Sequence, residues 1–377
     1  MPDTLALLRG SAFLGGLALL ALAERRWPRR TLSVSRLRRW PSNLGIVLLS
    51  TLLLRLLLPL GAVGVAAYAA TRGVGLLNVT SLPFWLDAML GFVALDFAIY
   101  VQHRLFHRVP LLWRLHRMHH ADLDLDVTSG GRFHPLEIVL SMLIKMLVVA
   151  ALGIAPGVVL LFEIALNVLA MFNHANLALP SSVDHALRRL LVTPDMHRIH
   201  HSVRPEETHS NFGFNLTWWD RLFGTYRAEP FGGQLGMTMG LPDYRDPSWL
   251  RLDRLLLLPF IDTATATVRL IDADDLRQRL GRHATQVLDV RSAAEFGGEL
   301  GHLAGAVNIP LDELPARIDD IVEWRTRPVT VVCLTDVRSS RAATALVDAG
   351  FTDVTVLRGG MRGWHARGYA SGTSAPA

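Results

Sequence analysis

Apolar residues crowd the first half of the chain and thin out after residue 172. Residues 5–23 are apolar apart from Arg9 and run into Glu24-Arg25-Arg26-Trp27-Pro28-Arg29-Arg30. A second apolar run, 43–70, is interrupted by Arg55 and Pro59, and a third covers 83–102. Runs 136–153 and 156–172 follow, split by Ala155-Pro156-Gly157. Each run approaches the ~20 residues with which a helix crosses ~30 Å of hydrocarbon, so this half reads as membrane spans. The last two fit either two full spans or a shorter hairpin that enters and leaves one leaflet. Basic residues follow the first run instead of preceding it, which predicts an uncleaved span and not a signal peptide.

Past Pro259-Phe260 the pattern changes. A linker at 261–267, containing Thr263-Ala264-Thr265-Ala266-Thr267, leads into β-branched strands at Val287–Val290, Val329–Val332 and Val354–Leu357. Helical stretches at 272–281 and 339–349 alternate with them, which predicts a parallel sheet with helices on its faces. The expected organisation is therefore spans in 1–82, a helical domain in 83–260, the linker 261–267, and an α/β domain in 268–371.

Composition sharpens this picture. Half of the 377 residues are hydrophobic and mean hydropathy is +0.30, more apolar than an ordinary soluble chain. Residues 1–267 carry 25 basic and 19 acidic residues; residues 268–377 carry 13 and 14. The basic excess thus belongs to the apolar half. It has no aromatic-interleaved stripe, so nucleic acid is not an expected partner. The loop 24–41 holds Arg25, Arg26, Arg29, Arg30, Arg36, Arg38 and Arg39 against Glu24, whereas 71–82 holds only Arg72. The positive-inside rule puts the first loop in the cytoplasm, and the third span then returns there as the histidines begin. Lys145 is the sole lysine among 38 basic residues, which fits GC-rich bacterial coding and a bacterial inner membrane. Cys333 is the one cysteine, so no intramolecular disulfide exists.

Twelve of the fifteen histidines lie between His103 and His209. His103 and His107 form HxxxH; His116, His119 and His120 form HxxHH; His197, His200 and His201 form a second HxxHH. On a helix such spacings share one face. Thr193-Pro194-Asp195 supplies the start signal for a helix carrying the last cluster. His134 and His174 lie near membrane boundaries and are candidate further ligands; His185 and His209 fall outside the patterns. Eight clustered imidazoles exceed one ion's needs, since zinc takes about four ligands, so two ions are expected. Spacing leaves Zn, Cu, Fe and Ni open, and no HExxH of a zinc hydrolase is present. Asp96, Glu163, Asn167 and Asn173 are candidate acceptors for the ligands' other ring nitrogens, or else helix-packing hydrogen bonds.

These motifs resemble the fatty acid hydroxylase and sterol desaturase superfamily. The resemblance spans roughly residues 83–260 and includes Arg132-Phe133-His134-Pro135-Leu136-Glu137, Asn173-His174, Asn211-Phe212-Gly213 and Trp219–Thr225. It implies two iron ions held by helical histidines at the cytoplasmic membrane face, with O2 as co-substrate. The implied reaction is hydroxylation or desaturation of a lipid. No haem domain is evident in the sequence, so a separate ferredoxin- or cytochrome-type electron donor is implied.

Cys333 ends an apolar strand, and Cys333-Leu334-Thr335-Asp336-Val337-Arg338 leads into the next helix. Backbone N–H groups and a helix N-terminus there favour a thiolate, which makes Cys333 and Arg338 candidate catalytic residues. Residues 268–371 resemble a rhodanese-like domain, through Leu288–Arg291, Gly301–Pro310, the Cys333 loop, Gly359-Gly360-Met361 and Trp364. The six-residue loop implies sulfur transfer, but Asp336 stands where active loops commonly have glycine and opposes an anionic donor. The expected architecture is an all-α polytopic membrane domain with a cytoplasmic two-metal histidine site, followed by a soluble α/β rhodanese-like domain. The alternative function is a membrane-anchored rhodanese-type sulfur carrier or sensor with a degenerate or secondary metal domain.

Overall fold

The computed structural model describes residues 2–261 and 269–372, so the expected linker lies, Ile261 apart, outside the described residues. The chain forms two compact units: Met1–Ala228 with Leu250–Phe260, and Glu229–Trp249 with Ile261–Ala377. Between Ala228 and Ile261 it passes from the first unit to the second, back, and out again.

The first unit is helical. Five stretches among the described residues are long and apolar enough to cross a membrane: Leu5–Arg26, Arg36–Val79, Phe84–Arg108, Pro135–Leu152 and Pro156–His174. The first lies in α1 (Pro2–Arg26). The second is two helices, α2 (Arg36–Leu57) and α3 (Gly61–Arg72). Pro59 has no N–H to continue α2 and disfavours helical backbone at the residue before it, and Leu58 accordingly leaves the helix with φ −131° and ψ 61°. The predicted 43–70 run is thus a 22-residue span plus a separate 12-residue helix. Helix α4 (Phe84–Arg108) buries Asp96, Tyr100, His103 and His107 on one stripe, as spacings of four, three and four residues require.

Helix α5 (Pro110–His120) follows directly, then α6 (Pro135–Leu152) and α7 (Pro156–His174). At ~1.5 Å per residue the 18 and 19 residues of α6 and α7 reach about 27 and about 28 Å. Ala62 and Ala66 of α3 pack with Leu95, Val149, Ile154, Val158, Val159 and Phe162; small side chains let the helix backbones approach. At the α6–α7 turn a Cβ on Gly75 would lie 2.2 Å from the Gly153 nitrogen, so only glycine fits. Inside the bundle Glu163 pairs with Lys145 at 3.1 Å and with Arg9.

The α5–α6 loop is pinned to α2 by one buried guanidinium. Arg39 donates from Nε to Asp122 at 2.9 Å, from Nη1 to Asp126 at 2.6 Å, and from Nη2 to the Asp124 carbonyl at 2.8 Å. Glu24, at the end of α1, accepts the N–H groups of Val127 and Asn176, each at 2.7 Å. Short helices complete the unit: α8 (Ser181–Leu187), α9 (Pro194–His200), α10 (Pro205–Thr208) and α11 (Trp218–Leu222).

The second unit begins with α12 (Gly233–Gly236); α13 (Leu252–Leu257) belongs to the first. A five-stranded sheet follows, built from β1 (Arg269–Ile271), β2 (Gln286–Asp289), β3 (Val307–Asn308), β4 (Val329–Val332) and β5 (Val354–Leu357). Its order is β1-β5-β4-β2-β3 and every pairing is parallel. All residues of β4 and β5 are buried, as continuous apolar runs covered on both faces must be. Helices α14 (Ala273–Gly281), α15 (Ala293–Phe296), α16 (Leu314–Arg317), α17 (Val337–Asp348) and α18 (Gly360–Ala366) complete it.

Candidate metal centre

Nine of the ten predicted ligand histidines converge into two buried groups. His103, His107, His116, His120 and His200 form one; His119, His174, His197 and His201 form the other. Within each group one ligand atom per residue lies within 4.8 Å of the others. Both HxxHH motifs are divided: their first and last histidines share a group, while the middle one serves the other. Helix geometry explains the split. At ~100° per residue, positions i and i+4 stand ~40° apart, whereas i+3 swings to the far side of i, ~100° from i+4.

Local structure fixes the carriers. Pro110 occupies the first turn of α5, where its missing N–H costs nothing. Thr193 caps α9 by accepting the Met196 N–H at 3.4 Å, with Pro194 at the first helical position. His174 is the last residue of α7 and is fully buried.

In five of the nine rings the second nitrogen is tied down. The Nδ1 atoms of His103, His200 and His119 face the carbonyls of Phe212 at 2.8 Å, Ser210 at 2.8 Å and Arg132 at 3.2 Å. His174 Nδ1 faces the Ala170 carbonyl at 2.7 Å and Asn173 Oδ1 at 2.5 Å. A carbonyl only accepts, so these Nδ1 atoms carry the hydrogen and each Nε2 presents a lone pair. His116 Nδ1 faces the Glu137 carboxylate at 2.7 Å. The Nε2 atoms of His103, His116 and His200 are buried with no partner among the described residues. His174 Nε2 lies 3.1 Å from that of His119 and 3.2 Å from that of His197. Buried lone pairs facing one another are unfavourable unless a cation lies among them, so this donor set fits metal ions. Burial drives the His116 imidazole down to about 3 and holds His119, His120, His197, His200 and His201 well below the usual histidine range. They are neutral, as ligands must be.

His134 lies outside both groups. Its Nδ1 accepts the Leu136 N–H at 3.2 Å, capping α6, and its Nε2 donates to the Leu256 carbonyl at 3.2 Å. His209 packs edge-on to His107 with ring centres 5.6 Å apart, and His185 is bonded to the Ser181 carbonyl. Neither contributes to a group. Of the expected acceptors only Asn173 faces a ligand. Asp96 accepts the Trp219 indole N–H at 2.8 Å instead, and Asn167 donates to the Glu163 carbonyl. Glu137 is not among the expected acceptors; a carboxylate in the first turn of an apolar helix, three residues after His134, is the signal that marks it.

The stretches Asn211–Gly213 and Trp219–Thr225 buttress the site. Asn211, at φ +53°, donates to the Met196 and Arg227 carbonyls. Asp220 accepts the N–H groups of Phe212 and Gly213, both at 2.8 Å, and the Thr225 hydroxyl at 2.7 Å. This holds the Phe212 carbonyl against His103.

In the second unit Cys333 is buried at the end of β4. Its sulfur receives the Asp336 N–H at 3.2 Å and the Ser339 hydroxyl at 3.3 Å. Arg338 instead grips Glu295 with two bonds of 2.6 and 2.7 Å.

Residues 88–225 match the family model described as fatty acid hydroxylase, and residues 272–367 match that of the rhodanese-like domain. The ornithine lipid hydroxylase OlsE of Rhizobium tropici is 32% identical over 39% of this chain and 44% of its own. The alkylglycerol monooxygenase of Xenopus tropicalis is 28% identical over 45% of this chain and 36% of its own. The Bacillus subtilis protein YqhL is 44% identical over 23% of this chain and 65% of its own. Each match thus spans less than two thirds of the relative. The five long apolar helices make this an integral membrane protein, and the chain joins a fatty acid hydroxylase domain, matched at 88–225, to a rhodanese-like domain, matched at 272–367.

Proposed function

We propose that the protein is a membrane-bound di-iron, O2-dependent hydroxylase of a lipid. The observation that carries this reading is the division of nine buried imidazoles into groups of five and four. The named activities of the two lipid-modifying relatives support it and favour hydroxylation over desaturation.

His103, His107, His116, His120 and His200 would hold one iron, and His119, His174, His197 and His201 the other. The chemistry that such a pair supplies when bound is activation of O2 for attack on an unactivated C–H bond. The chain's own residues do the rest. The Phe212, Ser210, Arg132 and Ala170 carbonyls keep protons on Nδ1 and orient the rings, and Glu137 raises the basicity of His116. Burial of every ligand keeps water from the reacting centre. Electrons would come from a separate ferredoxin- or cytochrome-type donor. The Arg-rich 24–41 loop favours a cytoplasmic face, in a bacterial inner membrane, for the histidines and the C-terminal domain. Cys333, with Arg338 in its loop, would be the reactive centre of that attached domain.

Metal analysis and Mössbauer spectroscopy of detergent-purified protein test the site: about two coupled irons per chain are expected, and one zinc or no metal refutes the reading. Lipid profiling of a deletion strain should show loss of species carrying one extra oxygen atom.

A further inference from the structure

The rhodanese-like unit contains a segment that its family match does not cover. Glu229–Trp249 precedes the α13 stretch in sequence, yet it folds with the sheet. Gly236 and Thr238 lie so close to the turn before α18 that a Cβ on Gly359 would be 3.1 Å from the Gly236 carbonyl and 3.2 Å from the Thr238 hydroxyl. Asp246 pairs with Arg341 of α17 at 3.3 Å. Between these anchors Arg245 is buried, donates to the Met239 carbonyl, and pairs with the Asp336 carboxylate.

Asp336 sits in the cysteine loop with φ +115°, backbone that glycine adopts freely and side chains resist. Two bonds hold it there. One carboxylate oxygen pairs with Arg245, and the other accepts the Gly359 N–H at 2.9 Å. Its own N–H points at the Cys333 sulfur, 3.2 Å away. A guanidinium and a backbone N–H converging on one carboxylate, beside a nucleophilic sulfur, are the elements of an anion-binding site. The carboxylate held in it belongs to the chain.

We propose that Arg245 and the Gly359 N–H form a small-anion site beside Cys333 which Asp336 occupies from within, closing the cysteine to anionic reagents. Removal of that carboxylate frees the site for an external carboxylate or oxyanion, and the chain then presents an anion-directed thiol.

Cys333 is the only cysteine, so alkylation of the intact chain in detergent reads this sulfur alone. Iodoacetate and iodoacetamide differ in the negative charge of the former; with either, a carbon–sulfur bond forms and iodide leaves. Wild-type protein should react slowly with both. Asp336→Gly should raise the iodoacetate-to-iodoacetamide rate ratio by about tenfold or more, the scale on which local charge directs reagents. Adding Arg245→Met should abolish the rise. A ratio unchanged in Asp336→Gly, or a raised ratio that persists without Arg245, overturns the proposal. Should Asp336→Gly lose its cooperative thermal transition, Asp336→Asn removes the charge with little change of shape and is held to the same outcomes.

Discussion

Glu137 is the residue through which the chain would act most directly on the proposed metal centre. Its carboxylate meets His116 Nδ1 at 2.7 Å, whereas the other anchored ligands of that group face uncharged carbonyls. Glu137→Gln keeps an acceptor but loses the charge. It should weaken metal retention about tenfold, the lower end for such outer partners, as a chelator titration of purified protein would show. The clustered histidines also set a pH dependence. His116, His119, His120, His197, His200 and His201 are all held below the unfolded histidine range by burial. Between the folded and unfolded values the unfolded chain binds more protons, so stability rises with pH. Metal-free protein should therefore lose stability as pH falls below ~6.5, by up to ~1.4 kcal/mol per pH unit for each histidine that titrates. Thermal unfolding of chelated protein from pH 7.5 to 5 measures this; a flat profile would contradict the burial of these rings.

Among the elements, the short α5 and α9 supply most of the clustered histidines, and what steadies them lies elsewhere in the sequence. Arg39 of α2 ties down the loop that leaves α5. Arg39→Met would leave Asp122 and Asp126 buried without that partner, a loss of about 3–5 kcal/mol. A lowered unfolding midpoint in detergent would register it. The elements were largely legible beforehand, because HxxHH, the Thr-Pro-Asp start of α9 and the apolar runs are local patterns. The pairing of the histidines was less so. Each HxxHH reads as aimed at one point until the ~100° step between adjacent residues is followed through, and then the middle histidine must part from the other two. Asp96 lies seven residues before His103 on the same helix. It accepts instead from Trp219, 123 residues away, a partner that spacing within one helix cannot reveal. The break between α2 and α3, by contrast, was foreshadowed by Pro59.

On the scale of the whole molecule, the arginine-rich loop after α1 implies an orientation with a direct test. Alkaline phosphatase fused after Gly75 should be active outside the inner membrane, and a fluorescent protein fused to the C-terminus should fold in the cytoplasm. The reverse pattern would invert the membrane topology. Least legible was Glu229–Trp249, whose partners Asp336, Arg341 and Gly359 come roughly a hundred residues later. A composition shift marks a linker near 261, yet the compact units interleave before it. That threading has a consequence for how such a gene could be rebuilt. Recombination at one breakpoint near codon 261 would graft a sulfur domain stripped of Arg245, with Asp336 left uncompensated in its loop. A working chimera needs two breakpoints, or a donor whose cysteine loop carries no such acid.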